Sequence, residues 1–199
     1  MLTCKYSKFS LPKNITYLNC AYMAPLMKSV EKAGLGGVRL KRNPTDIHPD
    51  DFFSITKDLR SEFARIIHVN DANRIAIVPS VSYGLATVTR NIKIEKGQHV
   101  LVAAEQFPSN YYPWQALCAD TGGEVRIVSP ENTIKDRGKI WNLKFLESIN
   151  SQTRVVSIAH THWADGTVFD LAAIRKRTRE VGALLVIDGT QSVGAFPLN

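Results

Sequence analysis

Four short segments of this chain carry the side chains best suited to chemistry. The first is Ser80-Val81-Ser82-Tyr83-Gly84, directly after the apolar run Arg74-Ile75-Ala76-Ile77-Val78. Free amides at a helix start, with a hydroxyl beside them, form a cradle for an anion. A plain serine N-cap uses the same residues. The second segment, Glu105 to Trp114, presents Phe107, which can stack on a flat ring or sit in the core beneath its loop. The third is His160-Thr161-His162-Trp163-Ala164-Asp165-Gly166. Its histidines and indole are expected to line a pocket rather than to hold a metal. The fourth, Asp188-Gly189-Thr190-Gln191-Ser192-Val193-Gly194, follows the apolar run Ala183 to Ile187. A carboxylate leaving a buried strand needs a partner, because an unpaired buried charge is strongly unfavourable. A protonated ring nitrogen would be one partner; a helix end or a surface cation would be another.

The elements that must position these segments alternate. Short apolar runs at 74–78, 100–103, 125–128, 155–159 and 183–187 read as five strands. Between them lie helical stretches: Val81 to Thr89, Trp114 to Asp120 after Pro113, a stretch through Leu143, Phe145 and Ile149 capped by Asn142, and Leu171 to Val181. Asp170 is the expected cap of the last and Gly182 its stop. Ahead of them, helices are expected from Pro25 to the Arg39–Arg42 cluster, and from Asp50 or Asp51 through Phe52, Phe53, Ile55, Leu59, Phe63 and Ile66. Strands alternating with helices predict an α/β fold, a mainly parallel sheet with helices on both faces. Ligands of such sheets bind at the carboxyl ends of the strands, where the four segments fall.

Composition narrows the classes. The chain has 199 residues, with 44% apolar and 22% charged, an ordinary globular balance. The first residues carry Lys5, Lys8 and Lys13 without an apolar run, so no signal peptide is expected. No stretch of eighteen apolar residues predicts a membrane span. Three widely spaced cysteines, Cys4, Cys20 and Cys118, point to a reducing compartment, and a cytoplasmic protein is expected. A net charge of +7 suits nucleic acid, an acidic surface or an anionic ligand. The cluster Arg175-Lys176-Arg177-Thr178-Arg179 has no interleaved aromatics and reads as a solvated helix face, so nucleic acid is not the expected partner.

In order and spacing, the four segments resemble the class V aminotransferase family of pyridoxal-phosphate enzymes, which includes cysteine desulfurases, selenocysteine lyase, isopenicillin-N epimerase-like proteins and kynureninase. The likeness runs from Tyr17-Leu18-Asn19-Cys20-Ala21 to Pro197. Its most specific piece is Val186-Ile187-Asp188-Gly189-Thr190-Gln191-Ser192-Val193-Gly194-Ala195-Phe196-Pro197, which looks like the family's Asp-Gly-Ala-Gln-x-x-Gly-x-x-Pro with Thr190 for the usual alanine. The resemblance implies the large domain of a fold type I enzyme. It implies pyridoxal 5'-phosphate as cofactor, an amino acid or other primary amine as substrate, and a homodimer. It also implies roles: Asp188 at the pyridinium nitrogen, Gln191 at the phenolic oxygen and Phe107 stacked on the ring. The Val81 and Ser82 amides and the Ser82 hydroxyl would hold the phosphate. His162 and Trp163 would lie near the cofactor, where desulfurases carry Ser-Asn. Trp163 offers only a donor, where asparagine offers a donor and an acceptor. That sets the chain apart from a standard desulfurase.

The family's covalent lysine follows the cofactor aspartate by a few tens of residues. Only eleven residues follow Asp188 here, and none is lysine. The resemblance therefore implies the N-terminal half of an enzyme, inactive alone, with the lysine beyond Asn199. It divides the chain into a helical segment at 1–70 and the first part of the cofactor domain at 71–199. Two other readings stand beside it. One is a serine hydrolase using Ser82 in a strand-turn-helix elbow, although the histidines precede the acids in chain order. The other is a non-catalytic module that binds anions or nucleic acid.

Overall fold

A computed structural model describes residues 3–20 and 22–197; Ala21 and Asn199, which enter the resemblance above, lie outside them. The core is a four-stranded sheet of β1 (His99–Ala103), β2 (Glu124–Val128), β3 (Thr153–Ala159) and β4 (Leu184–Asp188). All neighbours are parallel and the spatial order is β2-β1-β3-β4. Among the described residues six α-helices accompany it: α1 (Lys28–Leu40), α2 (Asp51–Ile66), α3 (Val81–Arg90), α4 (Tyr112–Thr121), α5 (Arg137–Ser148) and α6 (Leu171–Val181).

Alternation along the two central strands divides the core. Leu101, Ala103, Val156 and Ile158 point to one face, where Trp141 and Phe145 from α5, Ile149 just after it and Ile174 from α6 cover them. Val100, Val102 and Val155 point to the other, against Leu85 of α3 and Trp114 and Cys118 of α4. Strands buried on both faces must be near-continuously apolar, as these are. Ser157, a polar residue within the apolar stretch of β3 from Val155 to Ala159, is fully buried and hydrogen-bonded.

The helix ends follow local chemistry. The Asp170 carboxylate accepts from the Ala173 amide at 2.9 Å, which starts α6. Gly182 ends it at φ 73°, a left-handed conformation that favours glycine. The two helices before the sheet are different. α1 buries none of its residues and α2 buries only Ala64.

Two expectations fail. The run at 74–78 is not a strand. Ala72–Arg74 form a 3-10 turn, and Ile75 to Val78 continue without a ladder partner. A strand exists only where a neighbour satisfies its amides and carbonyls, and neither β2 nor β4 pairs with this segment. Asn142 does not cap α5, which begins at Arg137. Its side-chain oxygen instead accepts the Asp170 amide at 2.9 Å, tying α5 to the start of α6.

Candidate functional site

The sheet order creates a crevice. From β1 the chain passes through α4, on one face, to β2. From β3 it passes through α6, on the opposite face, to β4. Since β1 and β3 are neighbours, their carboxyl ends send the chain in opposite directions, and a gap opens between the departing loops.

Beside this gap lies a cleft of about 90 Å³, lined by Val81, Phe107, Ser109, Asp188, Thr190 and Gln191. Four of the seven residues singled out from sequence therefore meet here: Val81, Phe107, Asp188 and Gln191. Val81 opens α3. The Ser80 hydroxyl accepts the Tyr83 amide at 3.2 Å, and the Ser80 carbonyl accepts the Gly84 amide at 3.1 Å. The cap thus takes the third and fourth amides and leaves those of Val81 and Ser82 ahead of it. Ser82 is exposed beside the cleft and is not among its lining residues.

Asp188 ends β4 half-buried. Its Oδ1 accepts from the Thr190 amide at 2.9 Å and from the Thr190 hydroxyl at 2.6 Å. Oδ2 has no protein hydrogen bond or ion pair among the described residues, so one oxygen is held and the other is open. Gly189 is closely packed: a Cβ there would meet Val193 Cγ2 at 2.6 Å, so that side chain would have to shift. Thr190 was visible as a departure from the family pattern, but its bond to Asp188 was not.

The other two of the seven stand outside the cleft. His162 is buried, its Nε2 donating to the Ala104 carbonyl at 3.1 Å and its ring packed on Trp141. Its Nδ1 lies 3.2 Å from Asp165 Oδ1, close enough for charge attraction but not aligned as a hydrogen bond. Burial alone would push the Asp165 carboxyl up. Hydrogen bonds from the Thr167 amide and hydroxyl and from Arg137, with the His162 ring beside it, bring it below its ordinary value instead. Trp163 is half exposed; its indole N–H donates to the Glu105 carbonyl at 2.6 Å and its ring meets Phe107 edge-on at 5.7 Å. His160 packs on Phe196. Among the described residues, neither histidine hydrogen-bonds to Ser82.

Sequence reading missed a buried polar chain beneath the Phe107 loop. The Trp114 indole donates to Ser157 Oγ at 2.9 Å, and Ser157 Oγ donates to Asn110 Oδ1 at 2.6 Å. Asn110 Nδ2 donates to Gln106 Oε1 at 3.2 Å. The serine interrupting an apolar strand was the available signal.

A doubly wound parallel sheet with a cleft beside its switch point is the ligand-binding architecture of α/β proteins. The chain belongs to the aminotransferase class-V family, whose model matches residues 48–199. It is 29% identical over 144 residues to an uncharacterized aminotransferase of Bacillus subtilis, covering 72% of this chain and 36% of that protein. It is 30% identical over 139 residues to a probable cysteine desulfurase of Methanothermobacter thermautotrophicus, covering 69% of this chain and 33% of the relative. Among solved structures, a C-DES mutant with glycine covalently linked to its PLP cofactor superposes with a TM-score of 0.80 at 22% identity. That match covers 99% of this chain and 52% of the other. The fold is thus that of the fold type I enzymes. The chain spans about a third of the length of the curated relatives it matches.

Proposed function

We propose that residues 71–199 form the first part of a pyridoxal 5'-phosphate-binding domain, with residues 1–70 a helical segment that packs on it. One observation carries this reading: a single cleft joins a half-buried carboxylate with an open oxygen, an aromatic ring and the start of a helix. Each suits one part of the cofactor. Asp188 Oδ2 accepts from the protonated ring nitrogen, which also gives this carboxylate the cationic partner it lacks. The Phe107 ring covers one face of the pyridine. The Val81 and Ser82 amides and the Ser82 hydroxyl hold the phosphate, aided by the partial positive charge of the α3 N-terminus. Gln191 reaches the phenolic oxygen. The bound group supplies an electron sink for chemistry on a primary amine.

This reading takes an amino acid or another primary amine as substrate. Residues 189–199 contain no lysine, and this reading assigns residues 71–199 cofactor binding rather than turnover. The working form is a cytoplasmic homodimer. The uncovered apolar side chains of α1 and α2 support association, and the three free cysteines support a reducing compartment.

The test is titration of the 199-residue chain with pyridoxamine phosphate, which has the same ring and phosphate but no aldehyde to react with surface lysines. The parent chain binds, and Asp188→Ala weakens binding by about tenfold, as loss of a charged hydrogen bond does. No binding by the parent, or equal binding by the variant, overturns the reading.

A further inference from the structure

Two adjacent residues of the loop after β3 grip two adjacent carbonyls of the loop after β1. His162 Nε2 donates to the Ala104 carbonyl at 3.1 Å, and the Trp163 indole donates to the Glu105 carbonyl at 2.6 Å. The grip spans 58 residues of sequence and closes over the gap at the switch point. Its target includes a turn in an uncommon backbone conformation. Glu105 sits at φ 53°, a left-handed conformation that a non-glycine residue rarely adopts. Two residues further on, Phe107 enters the cleft, with its ring edge-on to Trp163 at 5.7 Å.

The grip is anchored from behind. His162 is wedged between Trp141 and Asp165. Asp165 is held by Arg137 at 3.1 Å and by the Thr167 amide at 2.9 Å. The Arg137 guanidinium also donates to the Glu131 carbonyl at 3.1 Å and lies over the Trp141 ring. The His162 side chain therefore has little freedom, and the loop after β1 is fixed to the α5 face of the sheet.

We infer that His162 and Trp163 are positioning residues, which set the Glu105 turn and through it the plane of the Phe107 ring, rather than ligands of the cofactor. This rests on the site reading above and revises the place of these two residues within it. The physical reason is directional. A stacking ring gains its contact only when its plane matches that of its partner, and a ring on a surface loop otherwise loses that alignment to rotation. Trp163 constrains Phe107 twice, through the carbonyl two residues before it and through the ring edge.

A double-mutant cycle tests this, read as affinity for pyridoxamine phosphate by the anisotropy of the ligand's own fluorescence. Trp163→Phe keeps an aromatic ring but removes the N–H, and it weakens binding about fivefold when Phe107 is present. In a Phe107→Ala background the same change has no further effect, because no ring remains to be aligned. A parent chain that does not bind overturns the site reading and this inference together. A parent that binds, with Trp163→Phe silent or with equal losses in both backgrounds, overturns the inference alone. Thermal melting of each variant close to the parent shows that binding, not folding, has been read.

Discussion

The two helices before residue 67 are as amphipathic as α3 and α6, yet they end in the opposite state from all four helices after residue 80. α3, α4, α5 and α6 each sink two side chains into the core: Leu85 and Thr89, Trp114 and Cys118, Trp141 and Phe145, Ile174 and Thr178. α1 buries nothing, and α2 leaves Phe52, Phe53, Ile55 and Leu59 more than half exposed. The periodicity of a sequence sets which face of a helix is apolar. Only the topology supplies a surface to cover it. The parallel sheet presents two such surfaces, and they are taken by α3 and α4 on one side and by α5 and α6 on the other.

The largest expected effect is in the sheet half. Trp141 is buried between the sheet, Phe169 and His162, and its indole donates to the Val128 carbonyl at 2.8 Å. Trp141→Ala should lower unfolding stability by about 3–5 kcal/mol, as removal of a large core aromatic does. A urea titration showing a much smaller loss would mean that the sheet half is no better packed than the helical half.

A second difference appears with pH. His99 is fully buried, with Nε2 bonded to the Thr153 hydroxyl at 2.8 Å and Nδ1 unpartnered. Burial first, and then the Arg126 charge, hold its pKa below the ordinary 6.5, against an opposing pull from Glu124. His160 is lowered by burial as well. The unfolded chain therefore takes up these protons before the folded one does. The stability these two groups contribute is therefore present above about pH 6.5 and should be lost as the pH drops below it. His99→Gln should flatten that slope in urea melts run at successive pH values. An unchanged slope would place the acid sensitivity outside the sheet.

The smallest effect is expected in the helical half. Phe53 is 73% exposed, so Phe53→Ser should change stability by no more than about 0.5 kcal/mol. A drop of several times that, measured at high protein concentration and vanishing on dilution, would show that the α2 face is covered in solution by a second copy. The contrast between the halves would then describe an isolated chain and not an assembled one.

What was legible in the sequence was what local chemistry decides. α6 was readable because Asp170 and Gly182 mark its ends within the chain itself, and β1 because every residue of Val100 to Ala103 is apolar. The segment at 74–78 was misread because a strand is a property of pairs. Its apolar residues announce burial but not the neighbour that must accept its hydrogen bonds. Asn142 looked like a cap because it precedes an apolar run, whereas its partner is Asp170, 28 residues away. At the candidate site, the family resemblance implied that Val81, Phe107, Asp188 and Gln191 meet at one cofactor, and the structure brings these four to one cleft. The inward turn of His162 depends on Trp141 and Asp165, whose proximity no spacing rule supplies.

The buried chain from Trp114 through Ser157 to Asn110 restricts how this protein can vary. The single hydroxyl of Ser157 serves both neighbours: it receives the indole proton and gives its own to the Asn110 amide oxygen. Replacing the serine by valine, which would suit β3 by shape, would strand a buried donor and a buried acceptor at once. Changing either neighbour alone leaves the hydroxyl half satisfied in a space closed to water. These three positions, drawn from a loop, a helix and a central strand, therefore form one unit of substitution, open to change together and closed to change one at a time.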